Sequence, residues 1–326
     1  MNILFWAAGA STTVIGSPPE KYTVDNTYKD VNAKDARGVY FGDAESAKTI
    51  NFVSQQDVYL SFTFGILSSG SWYSTPAAVE LAGVFRLYPL SSSQDELVLQ
   101  LNEQGSWVSY GSVTNGSAKV RLDVIYERDA VNGLIEVRVD GAVQASYTGD
   151  TTTGSYPATS SSILIGCPNT TNSGTTICYV SNFFQMDEST AGAIPVQLGI
   201  TANGTHTDFE GNDFDMINDV GLPDSTLIAS KVVGDKSTFV IEDVPTAYSV
   251  GYDVIAVGVG VRASSGGTSS PDLAVMIKDG ANEVESSTIL MDAVKKPRIG
   301  TFHTAPDAGA WTVAKVNSVE CGVTTK

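Results

Sequence analysis

His206 and His303 are the only histidines in the chain. General-base or nucleophilic chemistry most often uses such a residue beside a partner of matched pKa. Neither histidine sits in a G-x-S-x-G elbow, an H-E-x-x-H helix or a Cys/His spacing suited to zinc. Glycoside hydrolysis needs only two carboxylates, facing each other across a groove at about 5 to 9 Å. Glu80, Glu96, Glu103, Asp123, Glu127 and Glu136 lie on or beside expected strands, but no E-x-D-x-x-E-like cluster gathers them on one face. They read as solvated strand positions. No catalytic residue is assigned, and an enzyme is not expected.

Binding chemistry has two candidate sets. Hard oxygen ligands are densest at Asp208, Glu210, Asn212, Asp213, Asp215, Asn218 and Asp219, a stretch without the D-x-[DN]-x-[DN]-G order of an EF-hand loop. It reads first as an acidic connecting loop. Calcium on Asp208, Glu210, Asp213 and Asp215 is the alternative, and no other cofactor is expected. Trp72, Tyr73, Trp107 and Tyr110 fall near expected turns of the first half, where exposed rings could stack on sugars. Core or rim packing is the competing reading of the same four residues.

The formal charge of −17, from 19 Lys and Arg against 36 Asp and Glu, disfavours nucleic acid and anionic membrane as partners. The basic cluster Lys295, Lys296 and Arg298 is too small for a phosphate track and reads as a solvated loop. Three cysteines form no disulfide framework and leave at least one thiol free. Cys167 and Cys178 flank a loop between two expected strands, so a bridge across that hairpin stays open. The opening MNILFWAAGA lacks a positive n-region, so no signal peptide is expected, and no later run approaches a membrane span. A soluble protein is expected.

The elements that must position these residues are strands. Apolar residues make up 42% of the chain and charged ones 17%, with 31 Gly, which suits a folded β protein with many turns. Its 326 residues exceed one ordinary sandwich and fit two. Residues 1–37 read as an extended lead-in, 38–196 as the first domain and 197–326 as the second. In Asp57 to Leu67, Val58, Leu60, Phe62 and Phe64 share one face, the period-2 signature of a half-buried strand. Val79 to Leu90 reads as one strand, and Leu97, Leu99 and Leu101 mark another before a turn at Gln104-Gly105. From Ala118 to Tyr147 a three-strand meander is expected, turning at Asn132-Gly133, a pair tolerant of positive φ, and at Asp140-Gly141. Ser162 to Cys167 and Thr176 to Phe184 add two strands.

Ile194 to Gly204 reads as a crossing into the second domain. Strands are expected there at Thr238 to Ile241, Tyr252 to Arg262, Leu273 to Asp279 and Pro297 to Thr304, with a helical turn near Trp311 to Asn317. The alternation of Gly258 and Gly260 with valines suggests that another backbone approaches closely on the glycine side.

The stretch Val120 to Gly149, with its Val139-Asp140-Gly141 corner, resembles the middle of laminin-G-like (concanavalin A-like) jelly rolls. Cys178 to Gly192 is similar to the closing strand of such domains in tailed-phage virion proteins, with its acidic Asp187-Glu188-Ser189-Thr190 turn. The Gly258 to Arg262 and Leu273 to Lys278 strands and the terminal Ala310 to Val323 segment are similar to the C-terminal domain that follows it. The resemblance spans residues 39 to 326 and departs at Asn182-Phe183-Phe184-Gln185, where an aliphatic strand is usual. It implies an all-β protein of two β-sandwich domains, the first a jelly roll, carried on a virion as a tail, fibre or head-surface component.

Three functions follow from that resemblance. A non-enzymatic structural protein, assembling with other virion proteins and with copies of itself, is favoured. A receptor- or glycan-binding protein of the phage tail or fibre is the alternative, and a glycoside hydrolase comes third. The fold does not choose among them.

Overall fold

The computed structural model describes residues 3–7, 39–41, 48–68, 79–89, 96–114, 120–165, 176–196, 198–217, 227–266, 271–291, 293 and 296–326. The architecture is all-β, and the chain divides into two compact units between Ile194 and Pro195.

The strands of the first unit are β1 (Ile3–Ala7), β2 (Val39–Phe41), β3 (Lys48–Gln55), β4 (Val58–Ser68), β5 (Val79–Leu81), β6 (Phe85–Pro89) and β7 (Glu96–Glu103). They continue as β8 (Ser106–Thr114), β9 (Val120–Glu127), β10 (Gly133–Val139), β11 (Ala142–Gly149), β12 (Ser160–Ile165) and β13 (Thr176–Met186). One sheet runs β1-β13-β4-β9-β10-β11, with β2 also on β13, and the other runs β3-β12-β5-β6-β7-β8. Every pairing is antiparallel, and the chain passes repeatedly from one sheet to the other, which makes this a jelly roll of the laminin-G type.

Alternation along each strand sends one set of side chains inward. Val58, Leu60, Phe62 and Phe64 of β4, Val120, Leu122, Val124 and Tyr126 of β9, and Leu97, Leu99 and Leu101 of β7 form one buried core. The departure at Asn182 to Gln185 acquires a role here. A bulge in β13 turns Phe183 into the core, stacked on Phe62 at 5.6 Å, and Phe184 outward under Arg121. Gln185, fully buried, then ties the two sheets together: its Oε1 accepts from Val53 N at 3.0 Å and its Nε2 donates to Val53 O at 2.8 Å. The amide satisfies a backbone donor and acceptor that an aliphatic residue would leave unpaired.

Several expectations need correction. Val79 to Leu90 is two strands, because Gly83 takes a φ of 73° and turns the chain between β5 and β6. At Asn132-Gly133 neither residue has positive φ; Asp129 Oδ1 instead accepts from the amides of Val131 and Asn132 at 2.7 Å each. Gly133 supplies room, since a Cβ there would strike the Thr151 hydroxyl. The Gln104-Gly105 and Asp140-Gly141 turns do use positive φ at both residues. Asp123 is not solvated: it is 1% exposed and bonded to Arg121 Nη2 at 3.0 Å.

The second unit contains β14 (Ile200–Thr207), β15 (Lys236–Ile241), β16 (Val257–Ala263), β17 (Leu273–Asp279), β18 (Asn282–Glu285), β19 (Lys296–Phe302), helix α1 (Val313–Val316) and β20 (Glu320–Thr325). A five-stranded sheet β14-β15-β20-β17-β18 packs on the two-stranded sheet β16-β19 around Val259, Val275, Ile277, Phe302, Trp311 and Val323. This is the second sandwich. Trp311 is 4% exposed and donates its indole N–H to the Phe302 carbonyl at 2.9 Å, so it anchors the segment before α1 to β19.

Ile194 to Gly204 is not merely a crossing, because β14 begins at Ile200. The strand expected from Tyr252 begins only at Val257. Its glycine side is open at Gly260, which is exposed and would place a Cβ no closer than 3.9 Å to Ile299. The close approaches lie at Gly300 and Gly322 instead, where an added Cβ would overlap Val275 and the Ser237 carbonyl oxygen respectively. Among the described residues no helix is long and apolar enough to cross a membrane.

Candidate functional site

The strongest constellation is on the outward face of the sheet that carries β5 to β8. Phe85, Leu87, Leu97, Leu99 and Leu101 point into the core, so their alternates Glu80, Arg86, Tyr88, Val98, Gln100 and Asn102 point away from it. On β8, Trp107 lies opposite Asn102 and Ser109 opposite Gln100, which puts both on the same outward face.

Gln100 is the hub. Although on the outward face, it is only 8% exposed, because its neighbours close over it. Its Oε1 accepts from Arg86 Nε at 2.7 Å, and its Nε2 donates to Ser109 Oγ at 3.0 Å and Tyr88 OH at 3.4 Å. These partners fix which way the amide points. The Arg86 guanidinium lies 4.3 Å from the Trp107 ring centroid and 5.6 Å from that of Tyr88. The cation is therefore held between two half-buried rings.

One end of this face is locked from below. Asn102, 2% exposed, donates Nδ2 to Gly83 O at 2.7 Å and to Ser155 Oγ at 2.6 Å, and accepts from Gly105 N at 2.8 Å. Tyr156 OH donates to Asn102 O at 2.5 Å and accepts from Gln104 N at 3.1 Å. The β5–β6 turn, the β7–β8 turn and the loop before β12 thus converge on one side chain. A face built on strands and pinned in this way is held rigid.

The aromatic candidates separate. Tyr110 packs against the core cluster on the opposite side of β8 from Trp107, and its hydroxyl donates to Glu103 Oε1. Burial, then that bond, pushes its pKa up to about 12. Trp72 and Tyr73 lie outside the described residues. Arg86, Tyr88, Gln100 and Ser109 were missed by sequence reasoning; the only signal was the period-2 spacing of β6 and β7, which needs the register to become a site.

The other candidates stay apart. Asp208, Glu210, Asp213 and Asp215 are exposed. Asp208 Oδ2 accepts from Lys236 N at 3.1 Å, and Asp213 caps the short turn Phe214–Met216 by accepting from Asp215 N at 3.2 Å. Among the described residues no three acidic, histidine or cysteine side chains gather as a metal would require. Asn218, Asp219, Lys295 and Cys167 lie outside the described residues, as do the side chains of Cys178, Lys296 and Arg298. Cys321 is a free thiol, and burial pushes its pKa up to about 12. Three of the candidate carboxylates of the first unit are engaged locally: Glu127 with the Tyr59 hydroxyl at 3.0 Å, Glu136 with Arg138 at 2.6 Å and Asp123 with Arg121. His303 is exposed, while His206 meets Glu283 within the second unit.

No protein-family model matches the sequence, and no curated protein matches it. Among solved structures the chain is similar to the binding domain of botulinum neurotoxin serotype C1, at 9% identity and a TM-score of 0.40 over 99% of this chain and 98% of that one. It is similar to alginate lyase Aly36B at 10% identity and a TM-score of 0.31, over 45% of this chain and 80% of that one. A sialidase matches at 10% identity and a TM-score of 0.30, over 53% of this chain and 19% of that one.

Proposed function

We propose that this is a non-catalytic glycan-binding protein, an adhesion component of a tailed-phage tail or fibre, that takes its ligand on the outward face of β6, β7 and β8. The observation that carries the reading is the Trp107 ring held beside Arg86 at 4.3 Å on a sheet face whose other groups are Gln100, Ser109 and Tyr88. Sugars present an apolar C–H face and a rim of hydroxyls. An aromatic ring with amide and hydroxyl partners on a rigid strand surface answers both.

The absence of catalysis is part of the proposal and is supported by the local engagement of Glu103, Glu127, Glu136 and Asp123, each with its own donor. The particle location, synthesis in the host cytoplasm, and contacts with other virion proteins and with copies of the chain rest on the sequence resemblance through Ala310 to Val323. Calcium at the Asp208 to Asp215 stretch is not part of the proposed mechanism.

A glycan array with the full chain tests the reading, with Trp107→Ala as the control. The wild type is expected to capture a defined set of glycans, and the variant to lose about tenfold or more in affinity at an unchanged melting temperature. If no glycan is captured, or if the variant binds like the wild type, the purely structural role takes its place.

A further inference from the structure

We propose that the ligand carries a carboxylate and that Arg86 is the residue that selects it. This rests on the glycan-binding reading above and names its substrate class. In a chain with 36 acidic and 19 basic residues, several of the described cations find a carboxylate, while Arg128 and Lys278 donate to backbone carbonyls. Arg121 meets Asp123, Arg138 meets Glu136, Lys236 meets Glu283, Lys315 meets Asp307 and Lys326 meets Glu285. Arg86 does not. Among the described residues its polar partner is the neutral Gln100 oxygen and its other neighbours are rings, even though Glu80 is its direct cross-strand partner in the register.

The geometry leaves the reactive part of the group turned to a ligand. The bond to Gln100 uses Nε, and the two Nη amines, which grip a carboxylate bidentately, have no partner among the described residues. Stacking on Trp107 and hydrogen bonding to Gln100 hold the guanidinium plane in place, so little side-chain freedom is lost when an anion docks. The overall charge of −17 repels an anion at range. Selection must therefore come from a fixed short-range contact. A sugar bearing a carboxylate could stack on Trp107 while its acid group meets the Arg86 fork; a neutral sugar could make only the first contact.

The test titrates the full chain with a hexuronic acid tetrasaccharide, the same tetrasaccharide after carboxyl reduction, and a sialylated trisaccharide. At least one carboxylated probe is expected to bind about tenfold more tightly than the neutral one. Arg86→Gln should abolish that preference while keeping residual binding of the neutral sugar, and Arg86→Lys should restore only part of it. Melting temperatures of both variants check that the sheet is intact. Equal binding of acidic and neutral probes, or an acid preference that survives Arg86→Gln, overturns the selection by Arg86 and leaves glycan binding standing. Binding of no probe by any form overturns both.

Discussion

His206 Nε2 and Glu283 Oε1 stand 2.6 Å apart, although β14 and β18, which carry them, are the two opposite ends of the five-stranded sheet. A flat sheet would hold those edges several strand spacings apart. β14 leans over β15 to make the contact: the amide and hydroxyl of Thr205 both donate to Glu320 Oε2 on β20, at 2.9 and 3.0 Å, and Thr238 Oγ1 donates to the same oxygen at 2.6 Å. Gly204 makes the crossing feasible, since a Cβ there would lie 2.5 Å from both Glu320 and Thr238.

The charge network that closes this sheet makes its stability pH-dependent. The bonds from Lys236 and then His206 lower the Glu283 carboxyl from 4.5 to about 2. A carboxyl lowered in the folded state stabilises fully above its unfolded pKa, near 4.5, and loses that contribution as pH falls through about 2. Glu283→Gln is expected to cost on the order of 1 kcal/mol near pH 6. The gap from the wild type should close towards pH 2 in urea unfolding. A gap constant across that range would mean that the ion pair does not stabilise the folded chain.

Gly322→Ala is expected to destabilise the second unit by about 1–3 kcal/mol, because its Cβ would overlap the Ser237 carbonyl and lie 2.8 Å from Thr238 Cα, both backbone. Gly260→Ala should change stability by less than about 0.5 kcal/mol, since that position is open. Denaturant midpoints of the two variants separate these outcomes. Equal effects would place the close approach wrongly.

Asn102→Ala should lower stability by about 1–3 kcal/mol, because Gly83 O, Ser155 Oγ and Gly105 N all lose their partner. It should also weaken glycan capture by loosening the two turns that pin the proposed ligand face. Trp107→Ala, by contrast, should reduce capture without a comparable change in thermal unfolding. A stable Asn102→Ala protein with full capture would show that the face does not depend on this pin.

Period-2 patterning was enough to locate β4, β7 and β9 to β11, where apolar and polar residues alternate, while β17 stood out as a continuous apolar run. It failed where the chain turns inside an apolar run, as at Ala82-Gly83-Val84, and where a strand is polar on both faces, as in β14. Trp107 could be nominated from its type alone. Its relation to Arg86 could not, because the two sit on strands separated by β7 and meet only once the register places Gln100 between them. The His206–Glu283 contact was hidden for a stronger reason, since it depends on how β14 leans across the sheet, which no residue pattern encodes.

Hydroxyl-radical footprinting of the full chain, with and without a saturating captured glycan, tests the location of binding most directly. Oxidation of Trp107 and Tyr88 is expected to fall on binding. Trp311, buried in the second unit at 4% exposure, and Tyr110, on the opposite side of β8, should not change. Unaltered oxidation of Trp107 with glycan bound, or protection confined to residues away from β6 to β8, would contradict the proposed ligand face.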